Sequence, residues 1–204
     1  MGGCGGKAQY GYFFQMAGDS MLQTFFHWFY CLPIPAAVLL MTVLSAAYLR
    51  LRREVGESRL WQPAIALLLL VWLGVIAVAT LMDRTSEAVH LGPQLLPFQS
   101  YGAVLAGGNK EILRSNFMNV VLFFPAGVFA CELLPGRWSR AGKSVLIAVL
   151  FALASAGIEF CQYRYALGQA ETDDVIHNAL GALIGALVCT IHLKWQPGYP
   201  DHRR

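Results

Sequence analysis

Long uncharged runs separated by short charged clusters dominate the chain. Residues 20–49, 60–82, 88–109, 115–131, 144–158 and 175–193 contain no Asp, Glu, Lys or Arg. The hydrocarbon core of a bilayer is about 30 Å thick, so a helix needs roughly 20 mostly apolar residues to cross it. The run at 88–109 fails as a simple span, because Gly92, Pro93, Pro97, Gly102, Gly107 and Gly108 read as loop or re-entrant backbone. The run starting at 144 reaches spanning length only if its helix continues through Glu159 toward Tyr165. The pattern therefore predicts five spans, near 32–49, 60–82, 115–134, 143–165 and 174–193, and an all-α integral membrane bundle. Residues 20–31 (SMLQTFFHWFYC) crowd aromatics ahead of Pro33 and Pro35. They read either as an extension of the first span or, the reading preferred here, as an interfacial helix at headgroup level, dividing the chain into an N-terminal segment, 1–31, and a transmembrane domain, 32–204.

Composition removes the competing classes. Of 204 residues, 56% are hydrophobic and 13% charged, and mean hydropathy is +0.50. Ordinary soluble domains carry about 25% charged residues, so this chain has too few to cover a water-facing surface and is too apolar for disorder. The net charge of +3 is dispersed between the apolar runs, which gives no basic patch for nucleic acid. Five cysteines without a CxxC pair suggest neither a zinc site nor a disulfide framework. The first residues lack the n-region and h-region of a signal peptide and read as a frayed terminus.

Basic residues set the expected orientation. Arg50, Arg52, Arg53, Arg59, Arg137, Arg140, Lys143, Lys194, Arg203 and Arg204 fall on one side, against Lys7, Arg84, Lys110, Arg114 and Arg164 on the other. By the positive-inside rule the C-terminus is cytoplasmic and the N-terminus outside.

Polar side chains within spans are costly and are functional candidates by default. Asn116 and Asn119 lie three apart, as do Glu159 and Gln162, while Asp174 and Asn178 lie four apart, preceded by Glu171 and Asp173. These spacings put each pair on one helix face, and on the expected orientation all three pairs sit toward the outer leaflet. For either Asn alone, interhelical bonding is the plainer role. Asp173 reads as a solvated cap at the start of the last helix, and His177 as a packed or interfacial side chain. Glu159 stands out as the acid well inside a span. Pro125 should kink the third span, and Gly181 and Gly185 should let the last one pack closely.

These residues carry a resemblance. Asn116-Phe-Met-Asn119-Val-Val-Leu-Phe123-Phe-Pro125-Ala-Gly127 resembles the N-x-x-N-x-x-x-F-x-P-x-G pattern of VanZ-like membrane proteins. Glu159-Phe-Cys-Gln162 is similar to the E-x-x-Q of that family, and Asp174-Val-Ile-His-Asn178-Ala-Leu-Gly181 to its D-x-x-x-N-x-x-G. Leu96-Pro97-Phe98 fits a short element in the preceding loop, so the likeness covers residues 94–193 in order. Many members carry an Arg beside the acidic pair, where this chain has Leu167-Gly168-Gln169-Ala170, with Arg164 a helical turn away.

The resemblance implies a bacterial cytoplasmic-membrane protein of a family named for low-level resistance to teicoplanin, a lipidated glycopeptide. The first expectation is an outward polar pocket of Asn116, Asn119, Glu159, Gln162, Asp174 and Asn178. It would bind a cell-envelope amphiphile, either a lipid-linked precursor or a lipoglycopeptide, whose hydroxyls and amides suit these side chains. The second is a membrane-face enzyme with Glu159 as general acid/base and Asp174 orienting substrate. A small transporter comes third. No metal or cofactor motif is present; carboxylates and amide oxygens would suit a divalent cation.

Overall fold

The computed structural model describes residues 29–81, 92–105, 111–135, 139–167 and 169–194. Among the described residues, after the helical pair Phe29 and Tyr30, six helices follow one another: α1 (Ile34–Val55), α2 (Trp61–Leu81), α3 (Gln99–Leu105), α4 (Glu111–Leu133), α5 (Arg140–Arg164) and α6 (Thr172–Lys194). All but α3 are long and apolar enough to cross a membrane. Each expected span appears, and α1 runs past residue 49 to Val55. Its last turn carries an Arg50–Glu54 pair at 2.9 Å, too exposed to stabilise the helix appreciably.

The ends of the helices follow from local chemistry. Pro33 and Pro35 open α1, where a missing N–H costs nothing. Gly56 closes it, its N–H bonded to the Arg52 carbonyl. Ser139 caps α5 by accepting from Gly142 N at 3.0 Å. At the far end of α5 the chain reverses through Ala166 in the left-handed region, φ 56°. Of the 20–31 segment, residues 20–28 lie outside the described residues. Phe29 and Tyr30 are helical and pack against the cluster of Ala37, Met118 and Val121.

The helix α4 is the hub, buried over most of its length and packed most extensively on α6, which in turn packs on α5. It runs unbroken through Pro125, and Trp72 Nε1 from α2 donates to the neighbouring Leu122 carbonyl at 2.8 Å. The outer helices present Leu39, Leu67, Leu70, Val71, Leu153 and Phe160 outward, the signature of a surface facing lipid.

Three glycines set the distance between α4 and α6. A Cβ built on Gly127 would lie 2.1 Å from the Ala182 carbonyl oxygen, one on Gly181 2.3 Å from that of Val120, and one on Gly185 2.1 Å from that of Phe124. The obstacle is backbone in each case, so no rotamer change relieves it. The small-residue reading of Gly181 and Gly185 is thus an observed close approach. Gly185→Ala should destabilise the folded protein in detergent by about 1–3 kcal/mol, the usual penalty of overpacking. Gly74, with open space around it, is the control: Gly74→Ala should be neutral or mildly stabilising in the same unfolding titration.

Glu159 is not alone among the acids in being buried: Glu132, one residue before the end of α4, is equally buried, at 6% exposure. One sequence expectation is corrected here. Asp173 is not a solvated cap. It is 3% exposed and bonds to a different helix.

Candidate functional site

One end of the bundle is built from the start of α4, the end of α5, the start of α6 and the segment 92–105. All six expected site residues, Asn116, Asn119, Glu159, Gln162, Asp174 and Asn178, are buried there. The first turns of α6 are the shared element. Asp174 accepts from Asn119 Nδ2 on α4 at 2.8 Å, and Asn178 Nδ2 donates to Ser155 Oγ on α5 at 2.8 Å. Glu159 Oε2 accepts from the backbone N–H of Glu171 at 2.9 Å, just before α6 begins. Gln162 Nε2 donates to the carbonyl of Thr80 near the end of α2, at 2.7 Å. Asn116 Nδ2 reaches Ser100 Oγ on α3 at 3.0 Å.

Among the described residues, two buried oxygens within this end have no hydrogen-bond partner, Gln162 Oε1 and Asn178 Oδ1. The Gln162 assignment follows from chemistry: a backbone carbonyl only accepts, so the amide nitrogen must face Thr80 and the oxygen must point elsewhere. A buried acceptor left without a donor costs about 1–3 kcal/mol, and native folds rarely retain one without a reason.

The segment 92–105 is stitched to α6 by contacts that span-reading could not foresee. Gln94 pairs with Glu171 in a short parallel bridge, through Gln94 N to the Ala170 carbonyl and Thr172 N to the Gln94 carbonyl. Gln169 donates to the Gly92 carbonyl at 2.7 Å and accepts from Gln94 Nε2 at 3.2 Å. The Gln169 amide thus staples this loop to the segment 92–105. Arg164, at the end of α5, is exposed, with its guanidinium 5.9 Å from the centre of the Tyr165 ring.

Asp173 caps the first turn of α3. Its carboxylate accepts from Phe98 N, from Ser100 N at 3.0 Å and from the Ser100 hydroxyl. Phe98 sits at φ 62°, a backbone state that costs a non-glycine residue roughly 1–3 kcal/mol and persists only where neighbours enforce it. One turn along α6, His177 is 5% exposed. Its Nδ1 lies 2.5 Å from the Asp173 carbonyl and its Nε2 lies 2.7 Å from the Tyr101 hydroxyl.

The opposite end holds a second polar cluster. Glu132 Oε1 lies 2.6 Å from Arg52 Nε and accepts from Trp61 Nε1 at 2.9 Å. Its Oε2 accepts from the Tyr48 hydroxyl at 2.8 Å. The Arg52 guanidinium also sits 5.5 Å over the Trp61 ring. Lys143, 1% exposed, donates to the Leu134 carbonyl at 2.9 Å. Arg52 and Lys143 both count toward the basic side in the sequence, yet both are folded into the bundle. Every group in this cluster touching Glu132 is a donor, which marks it as a structural tie between α1, α2 and α4. Among the described residues, no group of three or more His, Cys, Asp or Glu is placed to hold a metal ion.

A bundle of this kind, with five apolar helices of spanning length around a glycine-packed centre, defines a multi-pass membrane protein. The family model described as VanZ/LLP1 matches residues 61–193, well over half of the chain. The chain belongs to the VanZ/LLP1 family. No match was found among curated proteins or among solved structures.

Proposed function

We propose that the end of the bundle carrying Asn119, Glu159, Gln162, Asp174 and Asn178 faces outward from the bacterial cytoplasmic membrane and binds a cell-envelope amphiphile rich in hydrogen-bond donors. The observation that carries this reading is a pair of buried oxygens, Gln162 Oε1 and Asn178 Oδ1, that meet no donor among the described residues. Oxygens so placed call for O–H or N–H donors, and the carboxylates of Glu159 and Asp174 add further acceptors. Sugar hydroxyls and peptide amides supply such donors, and an acyl chain would hold them at the membrane face. A lipoglycopeptide of the teicoplanin class has all three features, and so does a lipid-linked wall precursor. Sequestering or shielding such a molecule would give the low-level resistance associated with the family name.

The test is ligand-dependent stability of the purified protein in detergent. A ligand specific to the folded state stabilises by about 2.7 kcal/mol at a hundredfold excess over its Kd. Teicoplanin should raise the melting temperature in a saturable manner, whereas vancomycin, which lacks the acyl chain, should raise it less. Equal and non-saturating shifts with both compounds, or none with either teicoplanin or lipid-linked precursor, would overturn the binding reading.

A further inference from the structure

We propose that Tyr101 and His177 form a nucleophile–base pair, and that this end of the bundle can accept an acyl group from a neutral ester carried on an amphiphile. This goes beyond binding, and neither residue belongs to the set assigned above.

The geometry assigns each atom a role. The backbone carbonyl of Asp173 can only accept, so the His177 nitrogen 2.5 Å from it, Nδ1, carries the proton. In the neutral ring Nε2 then holds its lone pair, 2.7 Å from the Tyr101 hydroxyl, which donates to it. This is the arrangement of an activated nucleophile: a hydroxyl on a base, with the base oriented by a third group. The two rings also stack, with centroids 5.8 Å apart and planes at 21°, so the phenol cannot swing freely. Tyr101 is half-buried, whereas His177 is buried.

The surroundings select the substrate. Residues Leu95, Leu96, Phe98 and Leu105 flank Tyr101 in sequence and are exposed, the last at 88%. Apolar side chains so exposed, in a segment joining two membrane spans, belong at the bilayer surface with acyl chains around them. Among the described residues, Asp173, one turn from His177 on α6, brings a carboxylate close to the pair. A phosphoryl group would meet like charge there. A carboxylic ester would not. The strain at Phe98 and the clamp by Asp173 hold the helix that delivers Tyr101, which is where backbone strain tends to be stored.

In the step, Tyr101 Oη attacks the ester carbonyl carbon and its proton passes to His177 Nε2. The tetrahedral intermediate expels the leaving-group oxygen, which takes that proton or departs as a stable anion. An acyl ester on Tyr101 results, with no net redox change.

The probe is p-nitrophenyl dodecanoate added to the full chain in detergent, with the modified residue located by peptide mass mapping. The expected result is a near-stoichiometric release of p-nitrophenolate and a dodecanoyl group on Tyr101. Tyr163 and Tyr165, 59% and 67% exposed, are internal controls and should label slowly. Tyr101→Phe should abolish the burst, and His177→Gln should slow it roughly a hundredfold, the usual range for loss of a general base. Because His177 is buried, His177→Gln could unfold the protein, so the wild-type chain unfolded in SDS is a second arm. There Tyr101 should react no faster than Tyr163. Labelling confined to Tyr163 and Tyr165, acylation resting on His177, an absent burst, or a Tyr101 rate unchanged by unfolding would each overturn the proposal. Failure of the binding reading would show instead in the teicoplanin melting measurement, which does not use this chemistry.

Discussion

Glu132→Ala should destabilise the protein more than any other single substitution at a charged residue, by about 3–5 kcal/mol. The carboxylate is 2% exposed at its side chain and holds Arg52, itself only 15% exposed, at 2.6 Å. Tyr48 and Trp61 donate to its two oxygens as well. Removing it strands a guanidinium and an indole N–H and leaves the Tyr48 hydroxyl with only the weak acceptor Cys189 Sγ at 3.6 Å. The helix α1 packs on the rest of the bundle only lightly, so much of its attachment at this end runs through Glu132. Equilibrium unfolding in mixed micelles measures the loss, and a cysteine probe on α1 should become more accessible. The paired replacement Arg52→Met with Glu132→Leu should recover most of the stability, because a well-packed apolar pair avoids the cost of desolvating two charges. If Glu132→Ala unfolds at the wild-type denaturant concentration, the cluster is not the tie described.

How far this architecture could be read from the sequence depends on what each feature needs. The spans were legible because bilayer thickness alone demands a run of apolar residues, and all five helices lie within a few positions of the expected limits except at the end of α1. Asn116, Asn119, Glu159, Gln162, Asp174 and Asn178 were legible because a polar side chain in an apolar run is conspicuous. Their partners were not. Ser100, Ser155 and Thr80 resemble hydroxyls that merely bond to their own helix, as Thr42 does to the Val38 carbonyl and Ser45 to that of Met41. Thr80 illustrates the ambiguity, since its hydroxyl bonds back to Ile76 while its carbonyl receives Gln162. Glu132, Arg52 and Lys143 lie at the edges of charge-free runs, where a charge ordinarily marks the water boundary. Their burial arises from helices distant in sequence, and a hydropathy pattern carries no record of that.

Asp173 is the sharpest case. Its position at the start of a helix suits a cap on that same helix, but its carboxylate crosses to the first turn of α3, 73 residues earlier in the chain at Ser100. Consecutive residues on a helix point in different directions, so Asp173 meets α3 while Asp174 meets Asn119 on α4.

That division yields the second large expected effect. Glu159→Gln should leave the melting temperature nearly unchanged and abolish stabilisation by teicoplanin. Glutamine keeps the shape of the side chain and an acceptor oxygen for the bond to Glu171 N. What it loses is the charge, and with it the stronger hydrogen bonds that a carboxylate offers a donor-rich ligand. Asp174→Asn should act in the same direction but more weakly, since its oxygen can still accept from Asn119. Asp173→Asn should do the reverse. A carboxylate accepting from Phe98 N, Ser100 N and the Ser100 hydroxyl cannot be mimicked by an amide, which turns an NH₂ group toward donors. With hydrogen bonds to a charged group worth about 1.5–3 kcal/mol each, Asp173→Asn should cost about 3 kcal/mol and loosen α3, as read by faster amide exchange at Ser100 and Tyr101. A folded Glu159→Gln protein that still melts higher with teicoplanin would remove Glu159 from the binding site. An Asp173→Asn protein as stable as wild type would show that α3 is held by something other than this carboxylate.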